Sequence, residues 1–243
     1  MPKRTTSAPR SPQPSVEEAG QALKAELAEV EAEMQAALTD LFPPFSQMID
    51  ARLRAQGPLT RAAIVLTAGT GEPDTAVLRG KRISLAAALE MLHLALAVHM
   101  AIGSVSGVDT AQFQSLLGST ILAGDYCFSR SAELAVRTGD PVVVEIFSEA
   151  LKRVSEGNLR RFFDPAEFHF DEDRELFLAG IAAAGQLTGA STHLQDAQSQ
   201  LAVDLAGARI MQRQALAEEP SFAELSPLQR ARWQALIEWF PTT

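Results

Sequence analysis

Leu85–Ser104 reads LAAALEMLHLALAVHMAIGS. Apolar residues cover nearly every side of a helix drawn through it: Leu85, Ala88, Leu89, Met91, Leu92, Leu94, Leu96, Val98 and Ile102. A helix lying at a protein surface keeps a polar face for water, and here only Glu90, His93 and His99 interrupt the apolar surround. The stretch therefore predicts the buried central post of a helical domain.

Working outward toward the N-terminus, Gly80-Lys81-Arg82 reads as a basic loop just ahead of the central helix. Gly69-Thr70-Gly71-Glu72-Pro73 is a further loop, and a helix from about Leu59 to Ala68 precedes it. Another helix runs from Phe45 to about Ala55 and stops at Gln56-Gly57-Pro58. Ser15 with Glu18 forms a capping box that opens the first helix, which carries Leu23, Leu27, Val30, Met34 and Leu38 at helical spacing.

On the C-terminal side, Gly103–Gly107 connects to a long helix from Val108 to about Thr138. Asp140 as N-cap and Pro141 at the first helical position start a helix over Val142–Arg161. Asp171–Glu175 place carboxylates at the start of a helix reaching about Thr188, the ordinary complement to a helix dipole. A helix of about His193–Glu218 follows, Pro220 ends it, and Ser226-Pro227 begins the last one. No stretch alternates as a strand should, so the predicted fold class is all-α.

The 243 residues suit one large domain, with residues 15–243 as that unit and the Pro- and Ser-rich residues 1–14, holding Lys3, Arg4 and Arg10, as a disordered basic arm. A net charge of −9 argues against a nucleic-acid partner. A lone cysteine, Cys127, fits a reducing cytoplasm. The most apolar run holds Glu90 and two histidines, so neither export nor a membrane span is expected.

The block ALEMLHLALAVH, Ala88–His99, resembles the helix of the trans-polyprenyl diphosphate synthases that ends in His-Asp-Asp-x-x-Asp. Gly57–Leu66 is similar to that family's Gly-Lys-x-x-Arg-Pro segment and the apolar helix after it. Ala123-Gly124-Asp125-Tyr126 nearly matches its Ala-Gly-Asp-Tyr-Leu helix, and Glu156-Gly157 stands where it carries Glu-Gly-Glu. These matches occur in the family's order, and they imply an isoprenoid synthase-like single-domain helical bundle, shortened at its C-terminal end.

The resemblance implies chemistry that this sequence does not supply. Family members hold Mg²⁺ between two aspartate clusters, where the metal neutralises a leaving diphosphate. Met100, Ala101 and Ser104 stand in the first cluster, and Arg213 and Gln214 in the second, leaving no hard anionic oxygen for Mg²⁺. No cofactor is therefore expected. Arg61 and His93 match family residues that bind the homoallylic diphosphate and read as a relict of that site, although Pro58 replaces its lysine.

The expected function is that of a non-catalytic polyprenyl synthetase-family subunit, cytoplasmic, that pairs with a competent prenyl diphosphate synthase and modulates it. A homodimer is the other expected assembly. Two alternatives stand beside it: a binder of an apolar, isoprenoid-like ligand in the relict cavity near Ala95, Ala97 and Met100, or a prenyltransferase with residual or altered activity on allylic diphosphates.

Overall fold

The computed structural model describes residues 14–43, 45–71, 73–101, 110–164, 169–208 and 210–241. Among these the chain is helical, with no strand. In order come α1 (Val16–Ala37), α2 (Phe45–Ala55), α3 (Thr60–Ala68), α4 (Ala76–Met100), α5 (Thr110–Val136) and α6 (Pro141–Phe163). They are followed by α7 (Glu172–Thr188), α8 (Thr192–Gly207), α9 (Ile210–Leu216), α10 (Pro220–Ala223) and α11 (Pro227–Trp239). The expected arm, apart from Pro14, lies outside the described residues, as does Ser104.

α4 is the central post. It touches α1, α2, α3, α5 and α7, and its side chains from Leu85 to Leu92 are all buried. α4 is also long and apolar enough to cross a membrane, but 72% of its most apolar window is buried inside the protein. Its composition is thus accounted for by neighbouring helices. Local signals set most helix ends: Ser15 and Ser226 each complete a capping box, and Asp140 and Asp171 accept from their own first-turn N–H groups.

Three expectations are corrected. Gly80-Lys81-Arg82 is helix, because α4 begins at Ala76 under a Thr75 cap, nine residues before Leu85. Arg82 is fully buried there, and its two terminal nitrogens are held by Glu26, Asp74 and the carbonyl of Gly69. The expected helix His193–Glu218 is two, since Ala208 turns extended after Gly207 and α9 starts at Ile210. Pro220 opens the short α10 in addition to closing what precedes it, as proline at a first helical position can.

Glu26 binds three elements together. Its carboxylate accepts from Arg82 Nη2 at 2.7 Å and from Arg232 Nη1 and Nη2 at 2.7 and 3.1 Å, and Arg79 Nε lies 3.3 Å away. α1, α4 and α11 therefore meet at one buried acid. Removing its charge takes the carboxylate from the buried Arg232 and leaves the buried Arg82 with Asp74 alone. Glu26→Gln is expected to lower unfolding free energy by about 3–5 kcal/mol, read from urea denaturation.

Candidate functional site

The site starts from an uncapped helix. Leu59 at the α3 N-cap gives no side-chain hydrogen bond, so the first-turn N–H groups need partners from elsewhere. Glu90, fully buried in the middle of α4, meets this need: its Oε1 accepts from the Ala62 N–H at 2.9 Å. Its Oε2 accepts from Arg61 Nε at 3.0 Å and from Gln56 Nε2 at 2.9 Å. A buried carboxylate is tolerated only when its lone pairs are filled in this way.

α7 delivers two more acids to the same place. Asp173 accepts from Arg61 Nη1, and Glu172 Oε1 lies 2.9 Å from His93 Nδ1. Glu172 Oε2 also accepts from Asn158 Nδ2 at 3.0 Å, and Arg161 Nη2 in turn donates to Asn158 Oδ1 at 2.9 Å. Burial pushes the Glu172 carboxyl up, but the hydrogen bonds from His93 and Asn158 and the nearby Arg61 outweigh that and hold it below its ordinary value. Burial likewise pushes Arg61 down, and Glu90 and Asp173 outweigh it.

Arg61 and His93 are thus brought together in one polar cluster between α3, α4, α6 and α7, and each is already occupied. Two of the carboxylates, Glu90 and Asp173, bond Arg61 directly, while Glu172 bonds His93 and Asn158 and is reached by Arg161 only through Asn158. The reading of Asp171-Glu172-Asp173 as a simple helix-dipole pattern is therefore incomplete. Asp171 is the cap, while the two residues after it are ion-pair partners. The sequence held one signal for this: an acid at position 90 inside an otherwise apolar helix requires buried donors.

The residues at the two expected motif positions lie apart from this cluster in their contacts. Met100 is 44% exposed, and Ala101 brings no donor atom. Arg213 is buried and donates to the carbonyls of Phe240 and Pro241 at 2.5 and 2.7 Å, with its guanidinium 5.5 Å from the Phe240 ring centre. Its charge is spent holding the end of α11 against α9. The Gln214 side chain is outside what is described. A thioether, a methyl group and a committed guanidinium do not fit Mg²⁺. Among the described residues no group of three or more His, Cys, Asp or Glu side chains is arranged to hold a metal.

Ala123-Gly124-Asp125-Tyr126 has a packing role. A Cβ on Gly124 would fall 2.2 Å from His99 Nε2, so α5 approaches α4 closely only because that atom is missing. Tyr126 donates to the Ala37 carbonyl at 3.3 Å, and Arg130 links Tyr126 to Asp40, which fastens α5 to the end of α1. Ala95, expected near a ligand cavity, is fully buried among core residues. A groove of about 840 Å³ lies elsewhere, between α6 and α7, lined by Ile146, Lys152, Leu178 and Ala182 among others.

Acid titration tests the Glu172 contacts. Its folded pKa is depressed, so the stability it contributes is complete above its unfolded value near 4.5 and is lost as pH falls through the lowered folded value. Glu172→Gln is expected to cost about 1–3 kcal/mol at neutral pH and to flatten the fall in melting temperature between about pH 5 and pH 3. An unchanged acid limb in the variant would contradict the assignment.

No family model matches the chain, and no curated protein does. Solved structures do. A decaprenyl diphosphate synthase from Rhodobacter capsulatus superimposes with a TM-score of 0.61 at 24% identity, over 78% of this chain and 62% of that one. A polyprenyl synthase from Caulobacter crescentus, complexed with calcium and isoprenyl diphosphate, gives 0.61 at 19% identity, over 93% and 85%. A geranylgeranyl pyrophosphate synthase from Lactobacillus brevis gives 0.61 at 18%, over 90% and 83%. The chain spans less than two thirds of the length of the first of these. At such identities the likeness speaks for architecture, and that architecture is the all-α isoprenoid synthase fold.

Proposed function

We propose that this protein is a non-catalytic member of the polyprenyl synthetase family that acts in isoprenoid biosynthesis by pairing with a competent prenyl diphosphate synthase in the cytoplasm and modulating it. One observation carries the reading. Arg61 and His93, the residues suited to a diphosphate, are already engaged by carboxylates of the same chain. An entering diphosphate would meet a surplus of negative charge, and in a partly buried setting that repulsion is weakly screened.

The rest of the molecule supports the same reading. Met100, Ala101 and Arg213 leave the family's Mg²⁺ clusters without ligands, and a magnesium-free site lacks the charge stabilisation on which such chemistry depends. The helical frame is meanwhile kept in full repair: Glu26 and Glu90 are both saturated with donors. A chain under no demand for turnover but under demand for shape has this pattern. Dimerisation is general in the family that the sequence resembles, and a shape-keeping subunit fits a mixed dimer.

Two measurements check the proposal. The isolated chain, given allylic and homoallylic diphosphates with Mg²⁺, is expected to form no prenyl product above a protein-free blank. Mixed with a prenyl diphosphate synthase from the same genome, it is expected to co-elute on size exclusion and to shift that enzyme's rate or product length. Magnesium-dependent turnover by the chain alone would overturn the reading.

A further inference from the structure

Along the face where α1 meets α11, two hollows of about 510 and 390 Å³ share Lys24 and Trp239 and so make one groove. Val16 and Ala235 flank its start, and Met34, Leu53 and Pro58 flank its far end. Three acids line it, Glu17, Glu31 and Glu238, against one base, Lys24. All four are exposed, and among the described residues none of them takes part in an ion pair. Other acids of α1 do find arginines: Glu26, Glu29 and Glu33 pair with Arg82, Arg79 and Arg137.

Glu17, Lys24 and Glu31 are seven residues apart, which places them nearly in line down one side of α1. The line reads acid, base, acid over about 21 Å. Residues 1–13, MPKRTTSAPRSPQ, enter α1 at its Glu17 end and carry Lys3, Arg4 and Arg10 with no acid. The net charge of −9 includes these three positive charges, so the remainder of the chain is more acidic still. In a polyproline-type run Lys3 and Arg10 stand about 22 Å apart, with neutral Thr5 to Pro9 inside that span.

We propose that residues 1–13 fold back along this groove, Arg10 meeting Glu17 and Glu238 while Lys3 and Arg4 meet Glu31. Thr5 to Pro9 then pass Lys24, so every charge on that side of α1 faces its opposite or no charge. Ser11-Pro12-Gln13-Pro14 supplies the reversal, since serine and proline suit the first two positions of a turn. Half-buried Trp239, shared by the two hollows, offers the flat aromatic surface on which proline-rich segments dock. Each exposed ion pair is weak, but the tether holds the arm at an effective concentration on the order of millimolar. The chain thereby covers its own unpaired acids.

Trypsin tests this, because it cuts after Arg4 and Arg10. Release of the N-terminal segment is followed by mass spectrometry for the full chain, Glu17→Gln/Glu31→Gln/Glu238→Gln, Trp239→Leu and a synthetic peptide of residues 1–14. Cleavage after Arg10 is expected to be at least about ten-fold slower in the native chain than in the peptide. The triple variant is expected to lose most of that protection at an unchanged melting temperature, its substituted acids being exposed and unpaired. Trp239→Leu is expected to lose part of it; should that variant not fold, the triple variant decides alone. Added salt is expected to speed cleavage of the native chain relative to the peptide and to leave the triple variant unchanged.

Equal rates in the native chain and the triple variant would overturn the proposal. Protection that rises with protein concentration would replace the chain's own arm with that of a second copy, and protection seen only with an added prenyl diphosphate synthase would replace it with a partner. Each of these results overturns the intramolecular docking and leaves the non-catalytic reading standing.

Discussion

A carboxylate without access to water lies at the centre of this structure. Glu90 is fully buried in the middle of α4, and an ionised acid in that position must be surrounded by donors or the fold is lost. Meeting that demand fixes several things at once. Ala62 gives its first-turn N–H, which settles where α3 starts; Gln56 brings in the end of α2; Arg61 supplies the counter-charge. Arg61 then needs its own second partner and finds it on α7. The polar cluster is in this sense a chain of obligations that begins with one acid in an apolar helix.

The same logic governs the other side of the bundle. Glu26 on α1 is buried against Arg82 and Arg232, which ties the chain's first and last described helices to the central one. Both clusters are built from an acid and arginines, yet their surroundings differ. Around Glu26, three arginines, Arg79, Arg82 and Arg232, are matched by three acids, Glu26, Asp74 and Glu29. Around Arg61, acids outnumber arginines. That acid surplus beside Arg61 is the observation on which the non-catalytic proposal rests.

The resemblance that the sequence carries turns out to concern packing as much as chemistry. Gly124 and Tyr126 serve the contacts of α5 with α4 and α1, and Glu90 with Arg61 serves the junction of α3 and α4. Residues of this kind are fixed by packing, because the helices have to cross at these separations. Met100 and Arg213 show the opposite case. One lies exposed at the end of α4, and the other holds Phe240 and Pro241.

The sequence by itself determined the fold class, most helix boundaries and the buried central helix. These follow from periodicity, capping residues and side-chain chemistry, all of which are local or belong to single residues. Only the tertiary structure decided that Gly80-Lys81-Arg82 is helix, that Arg213 faces the C-terminal end, and that Arg61 and His93 are held by Glu90, Asp173 and Glu172. Residues 61 and 173 are 112 positions apart, and 26 and 232 are 206 apart. Which acid neutralises which arginine depends on how helices cross in space, and a pattern read along the chain has no term for that distance.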